Sequence, residues 1–169
     1  MLELDRTRWG FKMKTVYFAD RPFDVDGVDW VNFQHVKAKV DAPDFERTEK
    51  VNAVVDLKKG PDHLWENMSS KCRTDIRKSE NDDIEIEVNE NFEEFIRLNS
   101  EFRKEKRLPP VFEYYLRPPL PDFCSLFTAK HAGSIVGGIL FIKDDREMYA
   151  MLAASKRLAV DKEAAQLLA

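Results

Sequence analysis

The stretch Ser134-Ile135-Val136-Gly137-Gly138-Ile139-Leu140-Phe141-Ile142 is apolar or glycine at almost every position. A strand with one wet face would alternate polar and apolar residues. An unbroken run of this length fits a strand covered on both faces. Just upstream, His131-Ala132-Gly133 is a hairpin turn that joins it to a second strand, Phe123 to Lys130. Just downstream, Asp144-Asp145 turns into a third, Glu147 to Ser155, in which Met148 to Ala154 is again apolar on both faces. The three predict an antiparallel meander with the Ser134 strand at its centre and helices on both sides.

Further out, Ile84-Glu85-Ile86-Glu87-Val88 alternates strictly, which predicts a half-buried strand with Ile84, Ile86 and Val88 inward. Asn91 then sits where a helix N-cap belongs, with Glu94 in capping-box position. Phe92, Phe95, Ile96 and Phe102 form the stripe of that helix, and Leu108-Pro109-Pro110 stops it. A short helix or turn, Phe112 to Leu116, precedes the rigid run Arg117-Pro118-Pro119-Leu120-Pro121. Val51 to Leu57 reads as a strand, and a last helix starts near Val160-Asp161 and runs to Ala169. Residues 1–50 read as irregular connections with two strand candidates, Lys14 to Phe18 and Val28 to Phe33, punctuated by Pro22, Gly27 and Pro43. They form an N-terminal segment of the same domain, whose body is residues 51–169.

The whole is an α+β (α/β layered) chain of 169 residues, enough for one domain with a real core. It is 43% hydrophobic and 34% charged, as globular proteins are. No run of about 18 apolar residues predicts a membrane span, and Met1 to Arg6 lacks the order of a signal peptide. Cys72 and Cys124 read as reduced, packed thiols of a cytoplasmic protein. His35, His63 and His131 show no metal-ligand spacing, so neither a metal site nor a resident cofactor is expected.

One segment stands out chemically. Asp62 to Ser79 reads as a single helix in which Lys71, Arg73, Arg77 and Lys78 place four cations in eight residues of a chain with net charge −4. At about 100° per residue, Leu64, Trp65, Met68, Cys72 and Ile76 share one sector, and the cations border it. Two readings stay open. The cations flank a core face with their stems, with Asp75 as partner of Lys71. Or Arg73 and Arg77 offer guanidinium forks to a phosphate or carboxylate.

The element order resembles the Gcn5-related N-acyltransferase fold, and the residues resemble its FemAB-like branch. Leu64-Trp65 followed by Lys71-x-Arg73-x-x-Ile76-Arg77-Lys78-Ser79 is similar to that branch's basic helix, with Ser79 where Ala is usual. Phe123 to Leu140 is similar to its glycine-turn hairpin, and Tyr149 to Ser155 leads into an Ala-rich segment as in the family. The resemblance implies a largely antiparallel sheet with helices on both faces. It implies acyl transfer from an activated ester, aminoacyl-tRNA or acyl-CoA, to an amine. The enzyme's task would be to position the amine and bind the oxyanion. A bulged central strand would offer a backbone N–H to the donor carbonyl. Here that strand is Tyr149 to Ser155, with Ala153 and Ala154 permitting close approach and Gly137 and Gly138 beside it; the glycines also fit a simple bend or bulge.

Acid/base candidates are Glu147 and Tyr149, with Glu113, Tyr114, Tyr115 and Asp122 behind them; the two tyrosines at 114 and 115 also fit plain packing. The family's glycine-bearing pyrophosphate loop is replaced by Lys156-Arg157-Leu158-Ala159-Val160-Asp161. That leans from acyl-CoA toward an aminoacyl-tRNA donor, with Lys156 and Arg157 as phosphate contacts. The fold is incomplete after Ala169 relative to the family. Self-association through the open edge of the last strand is therefore expected, as is inactivity of the chain alone. The reading from a different class is a non-catalytic remnant or binding module.

Overall fold

A computed structural model describes residues 1–36, 41–110 and 119–156. Expectations for Phe112 to Leu116 (Glu113, Tyr114 and Tyr115 among them), for Arg157 and for the helix from Asp161 lie outside these residues. The described chain is mixed α+β, with two sheets. The first holds β1 (Leu2–Arg8), β2 (Phe11–Tyr17) and β3 (Trp30–Gln34), in that order. β1 and β2 are antiparallel, and β2 and β3 are parallel. A 3-10 turn at Leu57–Lys59 leads to α1 (Gly60–Asn67) and α2 (Ser70–Asn81). The second sheet is wholly antiparallel, with order β4 (Glu85–Val88), β5 (Cys124–His131), β6 (Ser134–Lys143) and β7 (Met148–Ser155). α3 (Phe92–Glu105) lies between β4 and β5 in sequence.

The apolar run at 134–142 is an interior strand, with neighbours β5 and β7. Its turn is built as the residues require. Ala132 and Gly133 both take positive φ, 48° and 74°, the left-handed pair that matches the twist of a two-residue hairpin. Leu126, Leu140 and Leu152 face each other across the three strands and are buried. α3 covers this face. Phe95 is fully buried, and a Cβ on Gly138 would lie 2.7 Å from the Phe95 ring and 3.0 Å from the Phe127 carbonyl. Gly138 is therefore what lets the helix seat. Tyr17 and Phe18, at the end of β2, join the same core, with Leu2 and Leu4 packed against it. The Cys124 thiol is buried there, and burial pushes its pKa up to about 11.

Five expectations are corrected. Val51 to Leu57 is not a strand: residues 51–56 have no regular structure, and Val51, Val54 and Val55 are exposed. β-branched residues favour a strand only where a neighbour offers a ladder and a packed face. Leu2–Arg8 is a strand where an irregular segment was expected. β4 turns the other way about: Ile86 and Val88 are 61% and 51% exposed, while Glu87 is half-buried and paired with Lys130 at 3.2 Å. Glu87 stands opposite Thr128, on the face that α3 covers, and the apolar pair falls on the other. That other face, with Phe127 and Ile139, stays partly exposed, so the sheet has a helix on one side among the described residues. Finally, Asn91 is the N-cap of α3 but has left-handed φ and makes no side-chain cap bond; its amide goes to Glu87 and Thr128.

Replacing Gly138 with Ala should lower stability by about 1–3 kcal/mol through overpacking against Phe95. At Gly137 the nearest atom to an added Cβ is at 3.5 Å, and Ala there should change stability by less than about 1 kcal/mol. Urea midpoints of the two variants check this; equal shifts would mean that the Phe95 contact does not decide the packing.

Candidate functional site

The basic segment is two helices, not one. Met68 is extended, and Ser69 opens α2 by accepting a hydrogen bond from the Cys72 N–H at 3.2 Å. The break re-aims the side chains. Cys72 is exposed rather than packed, and Leu64, Trp65, Met68 and Ile76 are only half-buried. Neither helix has a buried residue or a place in the main core.

The break also creates acceptors for the cations. One Arg73 Nη donates to the carbonyls of Met68 at 2.7 Å and of Trp65 and Glu66 at 3.1 Å. A guanidinium at a helix C-terminus satisfies carbonyls that have lost their helical partners and complements the dipole. Lys71 pairs with Asp75 at 3.1 Å, as the spacing suggested. The Arg77 guanidinium stands over the Trp65 ring at 5.4 Å, a cation–π contact. Lys78 is exposed. Arg73 and Arg77 thus tie α1 to α2.

On the sheet, β7 carries one extra residue. Leu140 pairs with Leu152 but Phe141 pairs with Ala150, so Met151 is bulged. A second irregularity puts Val136 between the pairs Ala129–Gly137 and Lys130–Ile135, and the Val136 carbonyl accepts from the Lys156 N–H at 2.8 Å. Gly137 flanks this bulge, Gly138 seats Phe95, Ala153 is exposed opposite Ile139, and Lys156 is exposed.

Of the two sequence-predicted acid/base residues, Tyr149 of β7 meets a partner from the other sheet, and Glu147, just before β7, acts on that partner through its charge. The His35 ring lies against the Tyr149 ring, with centroids 3.8 Å apart. Tyr17 stacks on His35 at 6.3 Å and Phe18 packs at 6.1 Å. Phe18 and His35, at the ends of β2 and β3, both hold positive φ, 61° and 56°. For non-glycine residues such conformations cost of order 1–3 kcal/mol and collect at functional sites. Burial lowers the His35 pKa, with help from the charge of Lys50, while Glu147 opposes the shift. The imidazole is therefore neutral at pH 7. Its Nδ1 is 3.1 Å from the Asn52 amide nitrogen. With that NH2 donating, Nε2 carries the proton; turning the amide over would place its carbonyl on Nδ1–H and leave Nε2 basic. Glu147 is held in place through its N–H, which donates to Asp144 Oδ1 at 2.8 Å. Burial disfavours the Asp144 charge, but the Met1 amino group and the N–H groups of Arg146 and Glu147 outweigh it and hold the pKa down to about 2.

Sequence reasoning named Glu147 and Tyr149 as acid/base candidates and did not single out His35, which the structure places against the Tyr149 ring. No local signal marks it: the contact joins positions 35 and 149, which are brought together only by the packing of two sheets. Among the described residues, no three His, Cys, Asp or Glu side chains gather as metal ligands would, and no helix is long and apolar enough to cross a membrane. No family model matches the chain, and no curated protein matches it.

Two outcomes follow. Because the folded His35 binds its proton less tightly than the ordinary 6.5, the unfolded chain takes up more protons just below that value. Its contribution to stability is complete above about pH 6.5 and declines as the pH falls through the window beneath. His35→Gln should flatten the melting-temperature profile between about pH 7 and pH 5; an unchanged profile would place the histidine in water. Separately, Arg73→Ala should speed proteolysis at Met68–Ser69 by about tenfold, equal to ~1.4 kcal/mol of lost local stability, with the melting of the sheets unchanged. A variant as resistant as the parent would show that the three carbonyl contacts hold nothing.

Proposed function

We propose that this chain is an acyltransferase of the Gcn5-related, FemAB-like kind, moving an acyl or aminoacyl group from an activated ester to an amine. The observation that carries the reading is the extra residue Met151 in β7, in a four-strand antiparallel sheet whose helix follows its first strand. A bulge releases backbone groups from the ladder, and an unpaired N–H at this point suits the oxygen of a donor carbonyl. Two residues earlier, Tyr149 stands against a neutral His35.

The chemistry then divides as follows. The acceptor amine attacks the donor carbonyl carbon and a C–N bond forms. The carbonyl oxygen becomes an oxyanion and leans on the β7 backbone. His35, whose Nε2 is basic once the Asn52 amide is turned so that its carbonyl accepts from Nδ1–H, removes the proton that the nitrogen gives up. The C–O bond of a tRNA ester, or the C–S bond of an acyl-CoA, breaks, and the Tyr149 hydroxyl supplies the proton to the leaving atom. Glu147 favours the charged imidazole while it forms. Lys78, Lys156 and Arg157 are the cations assigned to the donor's phosphates.

One finding favours the other reading, a binding module of the same fold. Arg73, Lys71 and Arg77 are engaged within their own helix pair, so the basic segment gives less to a phosphate than its charge promises. Thermal shift decides first, since a ligand bound only by the native state raises the melting temperature. An acyl-CoA or an aminoacyl-tRNA should do so, and transfer to an added amine should fall about 10²–10⁴-fold in His35→Ala with the donor shift retained. If neither donor shifts the melting point and no amide forms, the binding-module reading stands and acyl transfer does not.

A further inference from the structure

The β1–β2 hairpin carries a surface that the site above does not use. Between Arg6 and Ala19 the chain has four cations, Arg6, Arg8, Lys12 and Lys14, and no carboxylate, within a protein of net charge −4. At the tip of the hairpin Trp9 is 91% exposed, with Phe11 at 55% and Trp30 at 59%. Single exposed apolar residues are ordinary, but three large aromatics at one end of a sheet are not. The register groups them. Arg8 pairs with Phe11, and Met13 pairs with both Arg6 and Trp30, so these side chains share one face. Trp9 and Gly10 form the turn, both with positive φ, which holds the indole at the apex.

The charges near the tip are sorted in the same way. Lys14 is mostly covered and bonded to Glu3 and Asp5, on the opposite face. The Asp29 carboxylate accepts the Lys12 N–H at 2.7 Å. Lys12 and Arg8 are exposed on the two sides of the turn. The Arg8 guanidinium lies over the Trp9 ring at 4.2 Å.

From this we infer that the β1–β2 tip docks on an anionic lipid surface, with Trp9, Phe11 and Trp30 in the headgroup layer and Arg8 and Lys12 on lipid phosphates. Indole and phenyl rings partition to that layer, and flanking cations lift their charges to it while their stems stay in contact with the apolar part. Each cation beside an anionic leaflet adds to the attraction. Two features choose a bilayer over a single-stranded nucleic acid, which also likes aromatics among cations. The tip is convex, whereas strands are held in grooves. And one face of Trp9 is already taken by Arg8, so a base would have to displace the guanidinium to stack. A bilayer deforms around a convex tip and needs no matching pocket. The absence of any spanning helix among the described residues leaves such docking peripheral.

The test uses the full chain and vesicles of phosphatidylcholine with about one-third phosphatidylserine, against phosphatidylcholine alone. Two of the three tryptophans are at the tip, so their emission reports docking directly. Vesicles with phosphatidylserine should shift the emission to the blue, and added salt should reverse it. Trp9→Ala with Trp30→Ala should weaken partitioning, read by co-sedimentation, by at least about tenfold. Arg8→Gln with Lys12→Gln should weaken it by about twenty-five-fold, at about fivefold per cation. All four positions are exposed or at the turn, and circular dichroism checks that the variants remain folded. No partitioning at low salt overturns the inference. So does partitioning that the tip variants leave unchanged, or binding of an oligo-dT strand with no binding to vesicles.

Discussion

The contact between Phe95 and Gly138 is the constraint from which the rest of this structure follows. A side chain at position 138 would meet the ring at 2.7 Å, so only glycine lets α3 lie down on β6. Once the helix is down, the face of Leu126, Leu140 and Leu152 becomes the core and the face of Phe127 and Ile139 becomes surface. Tyr149, opposite Ile142, falls on the covered face. The first sheet then completes that face through Tyr17 and Phe18, which is how His35 comes to rest on Tyr149. Packing decides what the site contains before any chemistry does.

The cations of the chain divide by what surrounds them. Where a helix breaks, as at Met68–Ser69, carbonyls lose their partners and Arg73 supplies three hydrogen bonds at once. A guanidinium used in this way is a structural tie, and its charge is spent on the backbone dipole. At the hairpin tip, by contrast, the Arg8 guanidinium lies over an indole, and the sequence holds no carboxylate from Arg6 to Ala19. The density of positive charge along a sequence is therefore a weaker guide to an anion site than the acceptors that the fold creates nearby.

Much of the second sheet was legible. The run at Ser134–Ile142 predicted an interior strand, and it is one, between β5 and β7, although only one of its faces is covered by a helix among the described residues. The stripe of α3 was legible as well, since 3.6-residue spacing of Phe92, Phe95, Ile96 and Phe102 has few other uses. The facing of β4 was not, because alternation says that one side is apolar but not which side a helix will cover. The strand expected at Val51 failed because propensity cannot supply a partner strand. The helix break at Ser69 hid within a periodic pattern that continued across it. Of the site, Glu147 and Tyr149 were read from their place on the last strand. His35 was beyond reach, since its role comes from two sheets meeting and from a left-handed backbone that no residue of this type announces.

The most direct measurement is a proton NMR spectrum of the aromatic side chains, recorded with a titration of the His35 ring. The structure predicts strong cross-relaxation between His35 and Tyr149 ring protons, together with an imidazole that stays neutral at pH values where an exposed histidine has begun to charge. A His35 ring that titrates at the ordinary 6.5 and shows no contact with Tyr149 would contradict it, and with it the joining of the two sheets on which the site depends.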